Sequence, residues 1–215
     1  MALGSALKRM LALALLGSQS LLAGAKKTEL QIDEDTEDKL WEEGLAFRPH
    51  RLETEDGYIL TVYHIIPSSD EADTPLMRSR GTVLLQHGTS MDGWSWFDTQ
   101  HKSLPGLLVK AGFDVYLGND RGTRNSLSHR SINVKKEAKK YFDFSFAELG
   151  KYDMPAVLNF VRSHAKSERV IYIGYQQGAT SALYAYSKGP EAIFMKTMVS
   201  DVFLLAPCIF FSPPT

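Results

Sequence analysis

Five residues, Gly174-Tyr175-Gln176-Gln177-Gly178, carry the spacing of a catalytic turn without its reactive atom. The apolar run Val170-Ile171-Tyr172-Ile173 precedes them and the helix-favouring Ala179 to Ala185 follows, giving strand, Gly-x-x-x-Gly turn and helix in succession. This is the layout of a nucleophile elbow, which holds its central residue in a strained conformation so that the side chain projects above the sheet. The glycines on either side let strand and helix pass closely. Serine at the centre would offer a hydroxyl for a histidine to deprotonate. Gln176 offers an amide, which has neither a usable lone pair on nitrogen nor a proton to give up at ordinary pH. The motif predicts the geometry of a nucleophile without the chemistry. Taken alone, Gly-x-x-x-Gly also suits an ordinary strand-to-helix turn, so the surrounding elements must decide.

Those elements alternate. Arg51 to Thr54 and Tyr58 to Ile66 flank the turn residues Glu55-Asp56-Gly57 and read as a hairpin. Pro67 to Arg80 is a polar loop, and Thr82-Val83-Leu84-Leu85 is a buried strand running into Gln86-His87-Gly88-Thr89. Ser103 to Gly112 has leucines at helical spacing and a terminal glycine. Phe113 to Leu117 is the next strand, and Gly118-Asn119-Asp120-Arg121-Gly122 is the loop at its carboxyl end. Glu148 to His164 is amphipathic and helical, and Val202 to Pro207 is a last strand. Strands alternating with helices imply a mostly parallel sheet covered on both faces, with right-handed crossovers.

With 215 residues, 44% hydrophobic and 23% charged, the chain can bury one sizeable core. A net charge of −1 gives no electrostatic reason to expect a nucleic-acid partner, and Lys135, Lys136, Lys139 and Lys140 read as a solvated helix face. The single cysteine, Cys208, excludes an intramolecular disulfide and reads as a small buried hydrophobe. Of the six histidines, His87 lies in the loop after a strand. His50, His64, His101, His129 and His164 are scattered, without metal-ligand spacing or a nucleophile partner, and read as packing or surface residues. No cofactor or metal is expected.

Residues 1–25 resemble a targeting leader or membrane-proximal segment: Lys8-Arg9, then Met10 to Leu16, then Ala23-Gly24-Ala25 as a cleavage site. Met10 to Ala25 falls short of the roughly 20 apolar residues of a membrane span. The leader fits the secretory or endomembrane pathway, although no Asn-x-Ser/Thr acceptor is present; because no acidic residue precedes Glu29, it also fits a mitochondrial presequence. Residues 26–44 are an acidic linker or short helix, and 45–215 form the folded domain.

Four further segments carry a family resemblance. They are Thr54-Glu55-Asp56-Gly57-Tyr58-Ile59-Leu60, Gln86-His87-Gly88, Leu117 to Gly122, and Phe142 to Phe146 with Lys151 to Ala156. In this order, over roughly residues 40 to 207, the chain resembles the acid lipases of the α/β-hydrolase fold, the group of gastric and lysosomal acid lipases. The resemblance implies esterases acting on triacylglycerols or cholesteryl esters through serine, aspartate and histidine in that chain order. It also implies oxyanion donors at the backbone amides of Thr89 and Gln177.

The resemblance covers about the first half of the family. It stops before the cap and the last strands, where the acid and base would stand, so the expected fold is a truncated α/β-hydrolase. An oxyanion hole with binding alone leaves about 10³ to 10⁴ over water, on the order of 10⁶ having gone with the triad. The expectation is a catalytically inactive, lipase-like pseudoenzyme acting as a structural or interaction subunit of a membrane-associated complex. Gln176→Ser alone should restore no activity. A protein partner is expected over the apolar edge strand near Val202 to Pro207, and an exposed apolar floor near Trp94, Trp96 and Phe97. The alternatives are a pseudolipase that binds lipid or fatty acid, a lipase completed by another chain, and a gene fragment without function of its own.

Overall fold

The apolar run Val83-Leu84-Leu85 has no polar position to offer solvent, and the chain places it centrally. The computed structural model describes residues 32–68, 79–99, 102–187 and 189–208. The leader over 1–25 therefore lies outside the described residues. The acidic segment begins as helix α1, Glu34–Glu42. Asp33 caps it by accepting from the Thr36 amide at 2.9 Å, and Glu34, Asp35 and Glu37 in its first turn complement the helix dipole. Thr36 and Leu40 are buried, so this segment packs as a helix instead of running as an open linker.

Strands β1 (Leu45–Glu53) and β2 (Tyr58–Pro67) form the expected hairpin. Strand β3 (Thr82–Gln86) leads to a 3₁₀ turn, Gly93–Phe97, and to helix α2, Leu104–Lys110, capped by Ser103. Strand β4 runs from Asp114 to Asn119. Gly118 and Asn119, expected in the following loop, are strand residues because Gly118 pairs with Val62 on one side and Gln86 on the other. A side chain at Gly118 would also collide with Gln86, whose Oε1 would lie 2.1 Å from the added Cβ.

Strand β5 (Ser128–His129) pairs with β2. Helix α3 (Ala138–Tyr141) and the short α4 (Phe146–Glu148) follow. A π-helical turn, Leu149–Asp153, joins α4 to α5, Met154–His164. Strand β6 is Val170–Tyr175 and helix α6 is Gln177–Ser187. Helix α7 (Gly189–Met198), which the sequence pattern does not announce, leads directly into β7, Val199–Leu205. The sheet order is β1-β2-β4-β3-β6-β7, with β3, β4, β6 and β7 parallel and β1 and β2 antiparallel.

Alternation along the strands divides the core into two faces. Leu60, Val62, Leu84, Tyr116 and Tyr172 meet Met154, Val157, Leu158 and Val161 of α5 and Ala182 and Ala185 of α6 in one buried cluster. Tyr63, Ile65, Val83, Leu85, Val115 and Leu117 point the other way and are also buried. Strands buried on both faces read as continuous apolar runs, as β3 does. The mostly parallel sheet with helices on both faces is the α/β-hydrolase architecture expected from the sequence.

Candidate functional site: a self-occupied elbow

The turn after β6 keeps the strained geometry of a nucleophile elbow. Gln176 sits at φ +45°, a left-handed conformation that costs an L-residue roughly 1–2 kcal/mol. Its amide donates to the carbonyl of Leu205, the last residue of β7, at 2.8 Å. The flanking glycines are required by close approach: a Cβ at Gly174 would lie 2.8 Å from the Ala179 amide nitrogen, and one at Gly178 would lie 2.8 Å from the Gln86 carbonyl. The Gly178 amide donates to the His87 carbonyl at 3.1 Å, tying helix α6 to the loop after β3.

The Gln176 side chain turns into the site. Its Oε1 accepts from the Thr89 backbone amide at 3.1 Å. The Thr89 hydroxyl donates to Gln177 Oε1 at 2.7 Å. An oxyanion-hole donor stabilises a developing oxyanion from about 2.7–3.1 Å. Here a resident carbonyl oxygen takes the Thr89 donor. Gly88 makes room for it, since a Cβ there would lie 2.7 Å from the same oxygen. Tyr175 closes one side and packs edge-on to Trp96 at 6.4 Å.

His87 is a structural residue of this loop. Its Nδ1 lies 2.8 Å from the Gly88 carbonyl, which can only accept, and its Nε2 accepts from the Asp120 amide at 3.0 Å. These two bonds define the Nδ1–H tautomer and commit both nitrogens to backbone. Asp120 is buried and accepts from Gln86 Nε2 at 2.7 Å; burial pushes its carboxyl above the usual carboxylate range, against the opposing pull of His87. The loop residues thus fix one another.

Below them lies a network that the motifs do not announce. The buried Arg121 guanidinium donates from Nε to Asp153 Oδ1 at 2.7 Å, and through its terminal nitrogens to Asp56 at 2.6 and 2.8 Å. It also sits 3.8 Å from the centre of the Tyr58 ring. Asp153 accepts the Arg121 backbone amide at 2.9 Å as well, so it anchors this arginine, and although it directly precedes α5 its side chain makes no capping bond to that helix. Burial pushes the Asp153 carboxyl up, to about 7, while the arginine beside it pulls the other way.

A cavity of about 670 Å³ opens beside Gln177, lined by His87, Asp92, Asp120, Arg121 and Arg124 together with Trp94, Phe142 and Phe144. The expected exposed apolar floor does not form. Trp94 and Phe97 are buried and Trp96 is half-buried, because Trp94 stacks on Tyr63 at 4.1 Å and meets Phe47 edge-on at 4.8 Å. Cys208 is half-buried, not fully buried, and its carbonyl accepts from the Thr180 hydroxyl at 3.0 Å. Nor are the histidines all scattered: His50, His64 and His164, distant in sequence, place one ring nitrogen each within 4.8 Å of one another. The four lysines from Lys135 to Lys140 are exposed, as a solvated face requires.

Two family models match this chain. The partial alpha/beta-hydrolase lipase region covers residues 36–100, and the alpha/beta hydrolase fold covers residues 81–212. Among curated relatives, lipase member M of Mus musculus is 36% identical over 167 residues, which are 76% of this chain and 37% of that protein. The lysosomal acid lipase/cholesteryl ester hydrolase of Homo sapiens is 37% identical over 153 residues, 69% of this chain and 36% of the relative. The gastric triacylglycerol lipase of Rattus norvegicus is 33% identical over 165 residues, 76% of this chain and 40% of the relative. The chain therefore spans less than half the length of these relatives. Among solved structures, esterase Est22 matches with a TM-score of 0.53 at 17% identity, over 99% of this chain and 54% of that one, a likeness of fold. The chain belongs to the α/β-hydrolases, in the acid lipase family.

Proposed function

We propose that this protein is a lipase-family pseudoenzyme, inactive in ester hydrolysis, that serves as a structural or interaction subunit of a larger membrane-associated complex. The observation that carries the first half is the Gln176 side chain. It stands where the family places its nucleophile, and its Oε1 accepts the Thr89 amide at 3.1 Å. An ester carbonyl would have to displace it and would then meet no nucleophile.

The sheet edge supports the second half. β7 is the last strand of the sheet among the described residues, and Phe203 and Leu205 are 52% and 42% exposed on it. An apolar edge of this kind invites another chain. Among the described residues no helix is long and apolar enough to cross a membrane, so membrane association would come through that partner or through the leader. The words lysosomal and gastric in the relatives' names, with Lys8-Arg9 and the apolar run after it, support the secretory pathway over the mitochondrion. Charged residues on the cavity wall favour this reading over a lipid-binding one, because an acyl chain gains nothing beside Asp92, Asp120 and Arg124.

Two measurements test the proposal. Hydrolysis of a short-chain p-nitrophenyl ester by the full chain is expected at the buffer rate, and Gln176→Ser is expected to stay there, since His87 has both nitrogens bound to backbone. Hydrolysis that disappears in Gln176→Ala would overturn the inactive reading and revive a triacylglycerol or cholesteryl ester lipase completed by another chain. In gently solubilised membranes the endogenous protein is expected to co-migrate with a defined complex. Migration as a monomer would overturn the subunit reading.

A further inference from the structure

We propose that the cavity beside Gln177 is a binding site for a primary ammonium carried on an aromatic body, with Asp120 Oδ2 accepting from the ammonium and Phe142 and Phe144 meeting the ring. The cavity shares no residue with strand β7, so failure to bind such a ligand would leave the subunit reading untouched.

The topology makes the cavity. His87 directly follows β3 and Asp120 directly follows β4, and these two strands are parallel neighbours, so both residues stand at the carboxyl end of the sheet. That end is where open α/β sheets take their ligands. The volume of about 670 Å³ lies within the roughly 300–1,000 Å³ of small-molecule sites.

Asp120 is the residue that asks for a ligand. Its side chain is only 8% exposed, yet it lines the cavity. Oδ1 accepts from Gln86 Nε2 at 2.7 Å, and Gln86 is not part of the cavity wall. Oδ2 is buried and has no hydrogen-bond partner among the described residues. It lies 3.9 Å from Nε2 of His87, which is part of the wall. That nitrogen already accepts from the Asp120 amide, so it has no proton to offer. A buried carboxylate oxygen without a donor is costly, and a ligand N–H placed on it removes the cost.

The arginines on the wall are engaged elsewhere. Arg121 is committed to Asp56 and Asp153, and Arg124 to Asp92 and Asp33. Against these two cations the wall sets Asp33, Asp92, Asp98 and Asp120, an excess of negative charge that attracts a cation and repels a carboxylate or phosphate. Burial pushes the Asp120 carboxyl up, and an ammonium at Oδ2 would relieve that push by favouring the ionised form. Phe142 and Phe144 form the apolar side, with ring centres 6.1 Å apart and planes 38° apart. Phe142 is 49% exposed, so an aromatic body can pack on it. A neutral alcohol would give Oδ2 a weaker bond than a charged donor does.

Calorimetric titration of the full chain with phenethylammonium chloride is expected to show saturable binding at one equivalent and a rise in Tm. Phenethyl alcohol lacks the charge, hydrocinnamate reverses it, and phenyltrimethylammonium keeps it without an N–H. Each should bind the wild-type protein at least about tenfold more weakly, a comparison that needs no variant to fold. Asp120→Asn keeps an acceptor for Gln86 and should weaken phenethylammonium binding about 10–100-fold. Phe142→Ala, at an exposed position, should weaken it about 2–10-fold. Absence of saturable binding, equal binding of any of the three analogues, or affinity unchanged in Asp120→Asn or in Phe142→Ala would each overturn the proposal.

Discussion

Arg121 shows how a charged residue can be built into the centre of this fold. Its guanidinium is buried between Asp56 and Asp153 and lies over the Tyr58 ring. Each polar edge has a partner, which is the condition for a buried charge to be tolerated. Removing it strands the Asp153 carboxylate. Arg121→Ala is expected to cost about 3–5 kcal/mol, read as a fall in the urea midpoint. Gly178 is constrained by backbone rather than charge. Its missing Cβ would meet the Gln86 carbonyl at 2.8 Å and the His87 carbonyl at 3.0 Å, neither of which can swing aside. Gly178→Ala is expected to destabilise by about 1–3 kcal/mol while leaving the far-UV spectrum native. The same crowding holds the elbow open at Gln176, so the strain at φ +45° persists with an amide side chain at the centre of the turn.

Among the elements, the passage from α4 through the π turn to α5 depends on a local acid. The Ser145 hydroxyl and amide both donate to Glu148 Oε2, at 2.7 and 2.8 Å, closing a capping box at the helix start. The serine hydroxyl, with the backbone amide after it, holds the Glu148 carboxyl below its ordinary 4.5. The unfolded chain therefore binds the proton more readily than the folded one. This contribution to stability is present above the ordinary value and is lost as pH falls through the folded value. Between about pH 5 and pH 3 the urea midpoint is expected to drop, and the drop should be smaller in Glu148→Gln. Strand β7 makes a different prediction. It pairs with β6 as far as Leu205, with one register shift between Val199 and Asp201, and Phe203 and Leu205 are exposed. Phe203→Lys is expected to leave Tm within a few degrees of wild type and to abolish co-migration with the proposed complex. Retention in the complex would place the partner on another surface.

For the whole molecule, the elbow end of the sheet and the histidine end are independent. The first is closed by Gln176, Thr89 and His87, and the second is organised by Asp114 beneath His64 and His164.

Local pattern sufficed wherever one segment determines its own environment. The run Val83-Leu84-Leu85 can only be a doubly buried strand, Gly57 after Glu55-Asp56 can only turn the hairpin, and Gly174 and Gly178 mark the crossing of strand and helix whatever lies between them. Gln176 was legible as the central residue of the elbow because the glycine spacing fixes its position. Tertiary structure alone decided where its side chain goes, since Thr89 lies 87 residues earlier. It also decided that Trp94 is buried on Tyr63, that Asp153 serves Arg121, and that three histidines spread from position 50 to 164 meet. Periodicity and spacing report a residue's own element and face. Which faces are brought together is set by strand register and helix placement, and those are properties of the folded chain as a whole.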